Sequence, residues 1–238
     1  MEQLQLVVRY IHIIFGTVGL IAFWFPVLSR KGGILHRRAG QVFRYNAYIV
    51  LGAAGLSVIL HMVKMQMENL GPAQYPGNWA FLLFLGYLAL ITAIMLHHGL
   101  GVLRHKPGLE GLNTPWRRSL AYLSAAASLF IIGWALYWQP PNAILLYALS
   151  PLGLMNGIGI LRILNGHREH PRQWLTEHLG AMLGCGIAYH TAFFVFGASR
   201  LFSEILNGWM VVLPWILPAL IGIPAIVWWS RRYRQPAI

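Results

Sequence analysis

The stretch Trp79–Leu103, WAFLLFLGYLALITAIMLHHGLGVL, decides the fold. Its 25 residues include no Asp, Glu, Lys or Arg. Wound as an α-helix it is about 37 Å long, more than the roughly 30 Å of a bilayer's hydrocarbon core. No soluble strand or helix needs so long an uncharged run. The same reading repeats along the chain and predicts seven spans: Leu4–Leu28, Val42–Val63, Trp79–Leu103, Leu120–Trp138, Ala143–Leu164, His178–Gly197 and Trp209–Trp229. The chain is therefore read as all-α, a polytopic membrane protein with one helical domain over residues 1–238. Composition agrees. Charged residues make up 10% and hydrophobic residues 57%, where a soluble domain carries about 25% charge.

A net charge of +12 invites a nucleic-acid reading, but the placement of the charges argues against it. Fifteen of the eighteen Lys and Arg fall in alternate connections and the C-terminal tail. Arg30, Lys31, Arg37, Arg38 and Arg44 occupy the first connection; Arg104, Lys106, Arg117 and Arg118 the third. Arg162, Arg168 and Arg172 occupy the fifth, and Arg231, Arg232 and Arg234 the end. Only Arg9, Lys64 and Arg200 lie on the other side. This is the positive-inside pattern. It predicts an N-terminus outside and a C-terminus in the cytoplasm, in a bacterial inner membrane, with the basic face against anionic lipid headgroups. Met1-Glu2-Gln3 lacks a basic n-region, so the first span is read as a retained helix. Cys185, the lone cysteine, excludes an internal disulfide and covalent haem attachment.

The chain has ten histidines against six acids, all of them glutamate. Imidazole within a bilayer binds something, moves protons or hydrogen-bonds a carbonyl. Helical rise sorts the histidines by depth. His12, His61 and His190 form an outer layer. His97, His98 and His178, with His36 folding back from the first basic loop, form an inner one. His105, His167 and His170 lie in basic loops.

Two layers suggest a b-type cytochrome, each iron held by imidazoles from different helices. Glycines stand near the histidines: Gly16 after His12, Gly99 and Gly101 after His98, Gly180 and Gly184 after His178, and Gly186 before His190. A flat macrocycle needs such a face, and so does close helix packing. Against a regular two-haem bundle, His178 and His190 are twelve residues apart, a rotation of about 120°. The cofactor-binding expectation is His12, His61 and His190 for an outer site and His98 and His178 for an inner one. His36, Arg37 and Arg38 would contact propionates or lipid phosphate. Adjacent His97 and His98 diverge by about 100°, so only one can face a given centre.

The competing use is a metal site, with zinc or copper on His12, His61 and His190 and the inner histidines His98 and His178 as further ligands. A zinc hydrolase wants a carboxylate base, and Glu177, the only acid beside a span, lies at the inner end. A third reading is a non-catalytic accessory subunit of a membrane complex. In the leading reading, electrons pass between a membrane quinol or redox partner and an acceptor. Pro214, Pro218 and Pro224 predict a kinked last span.

Three segments together resemble the bacterial membrane proteins grouped as domain of unknown function 2306. They are His12 with Gly16 and Gly19, the loop Lys31-Gly-Gly-Ile-Leu-His36-Arg37-Arg38-Ala-Gly40, and Trp174-Leu-Thr-Glu-His178-Leu-Gly-Ala-Met182 running on to Phe193. The resemblance covers most of the chain. It implies a multi-span inner-membrane protein, marks His12, His36 and His178 as matching positions, and implies no reaction. His190 departs from the family pattern, which has a small or apolar residue there.

Overall fold

In a computed structural model, the described residues are 2–198, 210 and 212–234. All regular structure among them is helical. The helices are α1 (Glu2–Leu28), α2 (Ile34–Met67), α3 (Pro76–Arg104), α4 (Pro115–Trp138), α5 (Ala143–Leu149), α6 (Pro151–Leu164), α7 (Gln173–Ala192) and α8 (Leu213–Arg234). A π-helical turn, Phe193–Gly197, follows α7. With α5 and α6 forming one span, seven helical segments are long and apolar enough to cross a membrane. Much of their apolar surface is uncovered by protein: only 17% of the α1 span is buried. Apolar exposure on this scale calls for lipid.

The spans fall where hydropathy places them, with α2, α4, α7 and α8 each running several residues further at an end. α2 starts at Ile34, not Val42, so Arg37, Arg38 and Arg44 stand on helix and the expected loop shrinks to a tight turn. Gly32 takes φ +75°, a left-handed conformation that suits glycine, and Gly33 caps the new helix. α7 starts at Gln173, a turn and a half before His178. In α8, Pro218 and Pro224 lie inside the helix, whereas Pro214 sits in the first turn, where its missing N–H costs nothing. The outer loop expected from Gly197, and the start of the last span at Trp209, lie outside the described residues from position 199 on.

The chain divides into two compact units. The first comprises residues 1–94 and 114–166; the second comprises 95–113 and 167–238. In the first, α1 and α2 form an antiparallel pair. Its register is pinned by Lys64 against Glu2 at 3.7 Å, His12 against the Val50 carbonyl at 3.3 Å and His36 against the Pro26 carbonyl at 3.1 Å. Lys31 donates to the carbonyls of Pro26 (2.9 Å) and Val27 (2.5 Å), closing the C-terminus of α1. Burial lowers the Lys31 ammonium from its ordinary value.

The rest of the first unit is organised by Pro151. Proline deletes a ladder bond, and inside a bilayer the freed groups need partners. Tyr87 supplies them. Its hydroxyl accepts from the Gly153 amide (2.8 Å) and lies 2.6 Å from the Ser150 carbonyl, to which it donates. Ser128 donates to the same carbonyl at 2.6 Å, and Ser124 to the Gly153 carbonyl at 2.8 Å. Gly153 and Gly157 let α6 approach α4. A Cβ on Gly157 would stand 2.5 Å from the Ala121 carbonyl oxygen.

In the second unit the last turns of α3 pack on α7, and α7 packs on α8. Small residues again set the approach. A Cβ on Gly99 would lie 2.3 Å from that of Ala181, and one on Gly184 would lie 2.8 Å from the Met95 sulfur. Gly222 of α8 faces Ile187 with equally little room.

Candidate functional site

Six histidines share one hydrogen-bonding habit. Nδ1 of His61, His105 and His190 meets the carbonyl one turn back: Ser57 (2.8 Å), Gly101 (3.1 Å) and Gly186 (2.7 Å). Nδ1 of His12, His36 and His178 instead reaches across to another segment: Val50, Pro26 and Gly99, the last at 2.9 Å. A carbonyl only accepts, so each Nδ1 carries the proton. In the neutral ring, Nε2 then holds the lone pair, the tautomer used for ligation through Nε2.

The outer residues do not converge. Val50 faces His12, and His61 lies eleven residues further along α2, about 16 Å of helix. One ion cannot span that distance, so His12 and His61 do not make a shared metal centre. His12 and His61 belong to the first unit and His190 to the second. Among the described residues, no group of three or more His, Cys, Asp or Glu stands close enough to hold a metal ion. His61 instead borders a cleft with Lys64, Glu68, Asn78 and Phe81 at the ends of α2 and α3.

The inner residues do come together. His98 of α3 is buried, 6% exposed. Its Nε2 lies 3.3 Å from Glu177 Oε2 on α7. The other Glu177 oxygen accepts from Gln173 Nε2 at 2.8 Å, and Gln173 Oε1 accepts from the Glu169 amide at 3.3 Å. Next along α7, His178 pins the Gly99 carbonyl. The couples His98–Glu177 and His178–Gly99 therefore cross-link the two helices twice within one turn. The filled spaces at Gly99 and Gly184 come from this packing. Gly99 and Gly184 therefore serve helix contact, while a Cβ on Gly180, two residues past His178, would meet nothing within 4 Å.

Nδ1 of His98, like that of His170, departs from the common habit. It is buried and has no hydrogen-bond partner among the described residues. Buried polar atoms are nearly always paired, and those that are not often mark a functional group. Sequence reading found His98 but set Glu177 aside as remote from the outer layer. The signal available was that Glu177 directly precedes the expected start of a span at His178.

The loop beyond this couple is charged. Thr176 Oγ1 lies 3.2 Å from His170 Nε2, and Arg234 pairs with Glu169 at 3.7 Å. Burial, and then Arg234, lower His170 from the ordinary imidazole value, while Glu169 and Glu177 pull it back up. Lys106 sits over the Trp174 ring at 5.1 Å, a cation–π contact. Arg37 and Arg38 are exposed on the first turns of α2, while His36 is engaged with α1.

Comparison with family models, curated proteins and solved structures finds no match.

Proposed function

We propose that this chain is a multi-pass protein of a bacterial inner membrane, N-terminus outside and C-terminus in the cytoplasm, that carries electrons through a histidine-ligated b-type haem. The observation that carries the reading is His12. Its Nδ1 is tied to Val50 on the neighbouring helix, so the ring is held by two helices and Nε2 keeps its lone pair. One turn on, a Cβ at Gly16 would meet nothing nearer than Val50 Cγ2 at 4.0 Å. His12 would hold the iron through Nε2, and haem would supply one-electron chemistry when bound. A membrane quinol or redox protein would be the electron donor. Arg37 and Arg38 would contact propionate or lipid phosphate. The matching positions His12, His36 and His178 support kinship with the domain of unknown function 2306.

The test is an absorption spectrum of detergent-purified protein, oxidised and then reduced with dithionite, with metal analysis of the same sample. The expected result is a Soret band that shifts on reduction, near-stoichiometric iron, and loss of both in His12→Ala. Retention of full haem in His12→Ala would move the ligand elsewhere. A colourless protein with zinc or copper would replace haem by a metal, and a colourless protein without metal would favour the accessory-subunit reading.

A further inference from the structure

The His98–Glu177 couple has a chemistry that does not depend on haem. His98 lies six residues from the end of α3 at Arg104, about 9 Å along the helix. One ring nitrogen faces a carboxylate; the other is buried without a partner. Glu177 continues through Gln173 toward Glu169 in the basic loop, where His170 also stands and where Arg234 reaches in from the end of α8. A ring used only to pin two helices would need one polar contact, and His178 on Gly99 already supplies such a pin one residue away. Ionisable groups inside spans are costly, and proton relays are among the uses that retain them.

We propose that His98 and Glu177 pass protons between the apolar interior of the second unit and its basic-loop face. In the resting couple, Nε2–H donates to the ionised Glu177 carboxylate and Nδ1 holds a lone pair. A proton arriving from the interior forms a new Nδ1–H bond and makes the ring an imidazolium. The Nε2–H bond then breaks, and its proton bonds to Glu177 Oε2. The ring is neutral again, with its proton on Nδ1, and Glu177 is a carboxylic acid. Glu177 releases its proton to the loop, where Glu169, His170 and Arg234 set the local charge. In the reverse sequence Glu177, protonated from the loop, gives its proton to Nε2 and Nδ1 releases its own to the interior, which brings a proton inward and restores the first tautomer. Each step moves one proton and requires no oxidant or reductant. The titratable and charged groups on the helices packed here include His97 and Arg104 on α3 with His105 just past its end, His178 on α7, and Arg231, Arg232 and Arg234 on α8.

Infrared difference spectroscopy of the purified full chain, stepped from alkaline to acidic pH, tests the relay. Wild type should gain a carboxylic-acid C=O band together with imidazole-ring changes. Glu177→Gln should lose the Glu177 component of the carboxyl band, leaving that of the other five glutamates. His98→Gln, whose amide can still donate to Glu177 and hold the helices, should lose the His98 share of the ring changes and shift or abolish the Glu177 component of the carboxyl band. A carboxyl band identical in wild type and Glu177→Gln would overturn the relay. So would a carboxyl band left unchanged by His98→Gln, since the two groups would then not share a proton. Should Glu177→Gln fail to fold, His98→Gln decides alone. A colourless sample leaves this test intact, so its outcome is separate from that of the haem reading.

Discussion

At the scale of single residues, the polar side chains inside the spans serve backbone groups far more often than one another. Tyr87 is the clearest case. Its hydroxyl is inserted into the α5–α6 ladder, taking the Gly153 amide and giving to the Ser150 carbonyl. Removing one partner of a buried hydrogen bond leaves the other unsatisfied, at roughly 1–3 kcal/mol. Tyr87→Phe keeps the ring and deletes only the hydroxyl. It should lower thermal stability in detergent by about that amount, with the helical circular dichroism of the folded protein unchanged. Stability equal to wild type would show that Ser128 alone can serve the broken ladder. Most of the histidines follow the same economy, each fastening Nδ1 to a carbonyl. His98, bound instead to a carboxylate, stands apart for that reason.

At the scale of helices, small residues decide which faces meet. Gly153 and Gly157 bring α6 onto α4, and Gly99 and Gly184 join the end of α3 to α7. Lipid gives no hydrophobic drive for helices to associate, so close backbone contact and hydrogen bonds do that work. Gly157→Ala would place a Cβ 2.5 Å from the Ala121 carbonyl oxygen. Such overpacking costs about 1–3 kcal/mol, and the melting temperature should fall accordingly. Gly159 lies two residues away on the same helix, and a Cβ there meets nothing within 4 Å. Gly159→Ala should be neutral or gain up to about 1 kcal/mol from helix propensity. Equal melting temperatures for the two variants would contradict the α4–α6 contact. The glycines near His98 and His178 invited two uses from sequence, cofactor face and helix contact. Spacing alone does not separate these, because both need a helix face without bulk. Only the facing side chains, Ala181 and Met95, show contact.

At the scale of the whole molecule, seven apolar helices with so little of their surface buried make this a multi-pass membrane protein. The asymmetry of its cations sets the expected orientation, N-terminus outside. The lone Cys185 is buried, which makes sidedness simple to measure. In a Cys185→Ser background, Gln3→Cys should react with a membrane-impermeant maleimide on intact spheroplasts, and Glu110→Cys only after permeabilisation. The reverse pattern would invert the topology and place the His98–Glu177 couple near the outer face.

The sequence by itself determined the number of spans, their approximate places, the basic face and the histidine-rich character. These follow from local properties, since hydropathy over about 20 residues and the charge of short loops are read without knowing what packs on what. The helical start of α2 at Ile34 was missed because charged residues end an apolar window without ending a helix. Tertiary structure alone decided the pairings. Glu177 reaches His98 across 79 positions, and Tyr87 reaches Ser150 across 63. It also separated His12 from His61, because the register of α1 on α2 sets them at different depths. Such pairings depend on which glycine faces bring two helices together and at what register, and no single span carries that information.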